Sequence, residues 1–182
     1  MADTDVGNKA ACERLGTSLG EWRLESLLGS GGMASVYSAR APSGARAAIK
    51  VLHKELSKRG DLRHRFTQEG AAATRVAHPG VVEVLGTGEA ADGTCYLVLE
   101  LLEGEPLGSA LRRGDTLSIP RLLEILNQVL DVLAAAHQKG IVHRDLSRTT
   151  CSSRKTGASE FSTSASRAFW TTCRARTRRA PA

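Results

Sequence analysis

The chain has 182 residues, a formal net charge of +6 and four cysteines. That length fits one domain, and Cys12, Cys95, Cys151 and Cys173 form neither a CxxC pair nor a His/Cys ligand spacing, so a thiolate metal centre is excluded and a reducing, cytoplasmic setting is expected. No run approaches the roughly 18 to 20 apolar residues of a membrane span, and the acidic, polar opening MADTDVGNKA is unlike a signal peptide. The charge is unevenly placed: residues 1–145 carry 17 Lys/Arg and 18 Asp/Glu, whereas residues 146–182 carry 8 and 1. The basic excess therefore belongs to the last segment alone. Its aromatics, Phe161, Phe169 and Trp170, come with no motif of a nucleic-acid fold, and no nucleic-acid partner is expected.

Residues 1–20 have few apolar positions and no period, which predicts a mobile leader. Trp22 and Leu24 begin an apolar run to Leu28 that reads as a strand. Gly29, Gly31 and Gly32 then suggest a tight turn, Val36 and Tyr37 resume an extended pattern, and Pro42-Ser43-Gly44 signals a second turn. Ala47 to Leu52 reads as a third strand with Lys50 inside it. Glycines let backbone amides approach an anion closely, and a lysine one strand away adds a point charge. Strand, glycine loop, strand, turn, strand with one lysine is thus a clamp for nucleotide phosphates; the bland alternative is a glycine-rich hairpin that binds nothing. A dinucleotide fold would need a helix directly after the glycines, and a Walker loop would need Gly-Lys-Ser/Thr; neither is present.

The stretch instead resembles the glycine loop and third-strand lysine of the protein kinase family, of the bacterial serine/threonine type. The one departure is Ala34, where the family's third glycine falls. The resemblance implies that Val36 covers the adenine and that Lys50, in the Ala48-Ile49-Lys50 motif, holds the α and β phosphates.

Lys54 to Arg65 is charged and reads as a loop or short turn. From Leu62 to Val76, Leu62, Phe66, Ala73 and Val76 fit one helical face, and Ala71–Ala73 favour helix. Glu69 lies on it, at the position from which a kinase glutamate pairs with the lysine; the alternative is a solvated surface glutamate. Val81–Thr87 and Thr94–Leu102 read as two more strands joined by Ala91-Asp92-Gly93. In the family this last strand runs into the hinge. Leu99 would be the gatekeeper, Glu100 and Leu102 would offer backbone groups to the adenine edge, and Glu103 or Glu105 would reach the ribose. Leu107–Arg113 is a short helix candidate. Leu117–Pro120 opens a longer helix, apolar almost all round, that ends at the cap Gly140.

His143-Arg144-Asp145-Leu146 follows and matches the family's catalytic-loop motif, with Asp145 accepting the substrate hydroxyl's proton or holding that hydroxyl in line. The family would continue with Lys, Pro, an acidic residue and Asn; here the chain reads Ser147-Arg148-Thr149-Thr150, with Thr150 at the Asn position, and no Asp-Phe-Gly follows. From Ser147 to Ala182 there is no Leu, Ile, Val or Met, a composition that predicts disorder. Codon arithmetic offers a reason for the tail. If the ancestral frame lies one base upstream, each residue's first codon base becomes the second base of the restored codon, which sets its chemical class. Thr149-Thr150 then restores to two polar residues, Cys151-Ser152-Ser153 to three apolar ones, and Thr163-Ser164-Ala165 to a pattern that admits Asp-Phe-Gly. With allowed third bases, Arg148 to Trp170 restores as PDNVFLAEDGRVGILDFGIARVL. The alternative is a genuine basic tail of low complexity.

The expected fold is α+β: a kinase-like small lobe over 21–102 (five antiparallel strands and one helix) ending in the hinge, the first helices of the large lobe over 103–146, and a disordered, out-of-frame tail over 147–182. The resemblance assigns Asp145, Lys50 and Glu69 to catalysis. To nucleotide binding it assigns Leu28, Gly29, Ser30, Gly31, Gly32, Val36, Ala48, Lys50, Leu99, Glu100 and Leu102. It implies ATP as the nucleotide, a protein as substrate and Mg²⁺ as the metal, although the Asn and Asp-Phe-Gly ligands of that metal are absent from the chain. The expected function is a serine/threonine protein kinase, truncated and a poor catalyst, or else a kinase remnant that binds a nucleotide or a protein.

Overall fold

A computed structural model describes residues 11–142 together with short strand segments between 151 and 168. Two compact units emerge. One comprises residues up to Gly70 with Glu83–Leu101, the other Ala71–Val82 with the residues from Leu102 onward.

The first unit is built on a six-stranded antiparallel sheet. Its strands are β1 (Ser18–Leu19), β2 (Trp22–Ser30), β3 (Ala34–Arg40), β4 (Arg46–Leu52), β5 (Val84–Glu89) and β6 (Cys95–Glu100). They lie in the order β1-β2-β3-β4-β6-β5. Hairpin turns carry the meander: Gly44 closes the β3–β4 turn at φ +87° and Gly93 the β5–β6 turn at φ +78°, where a side chain would be strained. Asp92 finishes the second turn by accepting from the Thr94 amide at 3.0 Å. β4 is buried at six of its seven positions, as a central strand covered on both faces must be. Leu24, Tyr37, Ile49, Val51 and Val98 form the core on one face, with Tyr96 beside them.

The sheet has six strands where the sequence predicts five. The extra strand, β1, lies inside the stretch read as a mobile leader. Leu19 and Ala11 are buried, and the Tyr37 hydroxyl donates to the Ala11 carbonyl at 3.0 Å. Arg14 reaches Asp92 at 3.3 Å and the Thr94 hydroxyl at 3.0 Å. A two-residue strand and a single buried alanine have no periodicity to read, so composition alone assigned these residues to solvent. Residues 1–10 lie outside the described residues.

Among the described residues, besides a helical turn at 11–13, the helices are α1 (Lys54–Ser57), α2 (Gly60–Arg75), α3 (Leu107–Arg112) and α4 (Ile119–Gln138). α1, a single turn, opens the stretch expected to begin as a loop or short turn. α2 buries Phe66 on the side of the first unit; the boundary between units falls within this helix, after Gly70. Gly70 is itself buried: a Cβ there would stand 2.9 Å from Leu97 Cδ2, so the glycine permits a close approach of helix to strand.

In the second unit Ala72, Val76 and Val81 pack with Val132, Ala136 and Ile141, and Leu107 with Ile125. The α4 start is capped by Ser118, whose hydroxyl accepts from the Arg121 amide at 3.4 Å, and Pro120 sits in its first turn where no amide is needed. Gly140 follows the helix at φ +69°. Ile119, Leu122, Leu123, Leu126 and Leu130 are exposed, Ile119 to 73%. β7 (Glu105–Pro106) pairs with β8 (Cys151–Ser153), which pairs with β11 (Arg167–Ala168); β9 (Lys155–Thr156) pairs with β10 (Glu160–Phe161). β8 to β11 stand in the segment whose composition predicts disorder.

Candidate nucleotide site

Lys50 sits mid-strand in β4, directly across from Val36 on β3 and Leu97 on β6. The pleat therefore puts Ala48, Lys50 and Val36 on one face and Val51 on the other. Lys50 Nζ donates to Glu69 Oε1 at 2.6 Å, with side chains only 8% and 14% exposed. The same ammonium lies 5.5 Å from the centroid of the Phe66 ring, within cation–π range. Phe66 precedes Glu69 by three residues, so one helical face presents both to the lysine. A charge pair this far out of water interacts more strongly than one on the surface.

The glycine loop joins β2 to β3. The Gly31 amide donates to the Ala34 carbonyl at 3.0 Å, and the His53 amide to the Met33 carbonyl at 2.9 Å. None of Gly29, Gly31 and Gly32 has positive φ. A Cβ at Gly29 or Gly32 would meet nothing within 4 Å, and at Gly31 only the Ala34 carbonyl at 3.8 Å. The turn therefore does not demand glycine here, contrary to the conformational reason inferred from sequence. What the glycines leave is open space beside the backbone. Leu28 is exposed at the end of β2.

At the far end of β6, Leu99 is buried and lies across from Ala48 on β4 and Val84 on β5. The Glu100 amide donates to the Glu83 carbonyl at 3.0 Å, and its carboxylate accepts from the Glu83 amide at 2.9 Å. Leu102 is half-buried and Glu103 exposed. The structure thus brings Lys50, Glu69, Val36 and Ala48 onto one side of the sheet unit. His143, Arg144, Asp145 and Thr150 lie outside the described residues, as does the 163–165 triplet. Sequence reasoning missed Phe66 as a partner of Lys50, although its spacing from Glu69 carried the signal. It also missed Gly70 and a set of hydrogen bonds behind the glycine loop, for which no signal is visible in the sequence.

The protein kinase domain family matches residues 22–149. The chain belongs to the protein kinase family, of the bacterial serine/threonine type. It is 43% identical over 128 residues to the serine/threonine-protein kinase pkn2 of Myxococcus xanthus, a match covering 70% of this chain and 15% of that protein. It is 40% identical over 139 residues to the serine/threonine-protein kinase PknA of Mycobacterium tuberculosis, covering 73% of this chain and 32% of that one. The kinase chain therefore spans under a third of either relative. Among solved structures, a single-site mutant of the PknI kinase domain of Mycobacterium tuberculosis superposes with a TM-score of 0.63 at 28% identity, covering 75% of this chain and 56% of that one. A double mutant of the same PknI domain gives a TM-score of 0.67 at 25% identity, covering 78% of this chain and 57% of that one. This kinase domain has no helix long and apolar enough to cross a membrane among the described residues.

Proposed function

We propose that this kinase domain holds ATP through its glycine loop and the Lys50–Glu69 pair, and that as this chain it transfers phosphate poorly. The observation that carries the reading is the 2.6 Å contact from Lys50 Nζ to Glu69 Oε1 on the Val36 face of the sheet. In the proposed complex the amides of Gly29–Gly32 border the phosphates, Lys50 neutralises the α and β oxygens, and Glu69 with Phe66 holds the ammonium in place. Leu28, Val36, Ala48 and Leu99 form the apolar bed of the adenine, and Glu100 and Leu102 offer it backbone groups. Asp145 accepts the proton of a protein Ser/Thr hydroxyl. The open space beside the loop glycines supports the reading, because it is the one use of glycine there that the protein's own packing leaves unexplained.

The family works with magnesium. Among the described residues no three His, Cys, Asp or Glu side chains converge. The sequence has Thr150 at the Asn position and no Asp-Phe-Gly. Those two departures take away the side chains with which the family holds its magnesium. Without charge neutralisation between the β and γ phosphates, the largest electrostatic contribution to transfer is missing. Residues after about Ser147 are proposed to be read one base out of the ancestral frame, which accounts for the missing aliphatics, the excess arginine and the loss of the metal ligands together. On this reading the setting is cytoplasmic and the basic tail has no nucleic-acid or membrane partner.

Isothermal titration with ATP tests the grip: wild type binds, and Lys50→Met weakens binding. Equal affinities would overturn the site. A phosphate-transfer assay with Asp145→Asn as control should show little activity in either protein; robust autophosphorylation by the wild type would overturn the inactive reading. Reading the gene tests the frame: the idea fails if the frame one base upstream lacks an Asp-Phe-Gly triplet over 163–165. The second reading is a kinase remnant serving as a nucleotide- or protein-binding module. It is favoured by an intact Lys50–Glu69 pair standing beside a sequence without metal ligands.

A further inference from the structure

Behind the glycine loop, on the face away from Lys50, three side chains make a short hydrogen-bonded chain. Ser30 Oγ and Ser35 Oγ are 3.0 Å apart, and Ser35 Oγ lies 3.2 Å from His53 Nε2. Ser30 and Ser35 are cross-strand partners at the two ends of the loop. Ser35 is 2% exposed, so its hydroxyl has exchanged water for these two partners. His53 follows β4 immediately and is a junction in its own right. Its amide holds the Met33 carbonyl at the loop at 2.9 Å. Its carbonyl accepts from the Leu56 and Ser57 amides, both at 2.9 Å, and so fixes the start of α1.

We infer that Ser35 and His53 are positioning residues for the nucleotide phosphates: they staple both ends of the glycine loop to the end of the strand that carries Lys50. The inference rests on the reading of that loop as the phosphate cover. Ser35 neighbours Val36 along β3, and Val36 is the residue across from Lys50. By the period of two, the Ser35 hydroxyl points to the opposite side. Neither hydroxyl is placed to touch the nucleotide, so the staple acts through the loop backbone. Beyond the Gly31–Ala34 and His53–Met33 backbone bonds, a loop with no crowding around its glycines has little else to hold it. Its ordering would otherwise be charged against ligand binding. The staple fixes Gly29 to Ala34 relative to Lys50 before the phosphates arrive. Its effect is thereby confined to ligands that carry phosphates.

The test compares ADP with adenosine by titration calorimetry on the full chain. Ser35→Ala and His53→Leu each weaken ADP about three- to ten-fold, the size of one hydrogen bond. Adenosine affinity stays within about twofold, and His53→Gln, whose amide reaches the Nε2 position, restores ADP. In the same variants, without nucleotide, the Gly31 and His53 amides exchange with deuterium faster than in wild type. Parallel weakening of ADP and adenosine would mean a general structural role and overturn the inference, as would an unchanged ADP affinity. Lys50→Met separates this from the parent reading. If it abolishes ADP binding while Ser35→Ala does not weaken it, the staple alone is wrong. If Lys50→Met leaves ADP binding untouched, the site assignment falls and the staple with it.

Discussion

The two units of this kinase domain satisfy their apolar surfaces in different ways. The sheet unit does so largely internally: β4 is buried at all but its first position, and its Ile49 packs with Leu24, Tyr37 and Val98. The helical unit does not. α4 buries Ile125, Val132 and Ala136 while Ile119, Leu122, Leu123, Leu126 and Leu130 remain exposed. A helix apolar nearly all round normally sits inside a larger core. The contrast teaches that the sheet unit carrying Lys50 and Glu69 is close to self-sufficient in its packing, whereas the unit carrying α4 is not.

The largest effect that would break this contrast is a cavity in the sheet. Ile49 is fully buried, and Ile49→Ala should cost about 2–5 kcal/mol, read as a lower urea midpoint. Leu130→Ala on the exposed row of α4 should change stability by no more than about 0.5 kcal/mol; an equal loss at both positions would refute the comparison. Next comes the ion pair. Glu69→Gln leaves the Lys50 ammonium without its carboxylate at a site 8% exposed. It should cost roughly 1–3 kcal/mol and lower ATP affinity, measured by urea titration and calorimetry. A smaller effect is expected at Gly70, where alanine gains helix propensity but drives its Cβ to 2.9 Å from Leu97 Cδ2. The gain of up to about 1 kcal/mol is outweighed by overpacking of about 1–3 kcal/mol, so Gly70→Ala should be mildly destabilising and weaken nucleotide binding, read by the same two measurements.

The smallest effect concerns acid. Asp92 is held below the usual carboxylate range, first by its hydrogen bond with the Thr94 side chain and then by the Thr94 amide, Arg14 and Lys54. With a lowered folded-state pKa the native state binds fewer protons, so the contribution is present above the unfolded value and fades as pH falls through the folded one. Asp92→Asn should therefore be slightly less stable than wild type at pH 7. The difference should shrink as pH falls below about 4, checked by thermal melts across that range.

Much of the sheet was legible in the sequence because its strands alternate or run apolar between Gly/Pro turns, and α2 because Phe66, Ala73 and Val76 keep helical spacing. Lys50 and Glu69 were legible for a different reason: each sits in a pattern whose chemistry is specific once both are present. β1 was not, since two residues carry no period and its anchor, the Tyr37 hydroxyl on the Ala11 carbonyl, is a tertiary contact. Ser35 and His53 were hidden for the same cause. A serine in a strand and a histidine at a strand end have many ordinary roles, and only the register of β3 against β4 brings their atoms together. Gly70 looked like a flaw in a helix and is a point of close approach. His143-Arg144-Asp145-Leu146, legible as a motif, lies outside the described residues.

The exposed row on α4 bears on how long such a chain lasts in a cell. Chaperones and proteases recognise apolar segments, and a well-packed protein offers them only during brief excursions to open states. Here Leu122, Leu123, Leu126 and Leu130 are on offer in the native state. Replacing those four leucines with polar residues should therefore lengthen the half-life in a pulse-chase experiment while leaving the melting temperature of the sheet as it is.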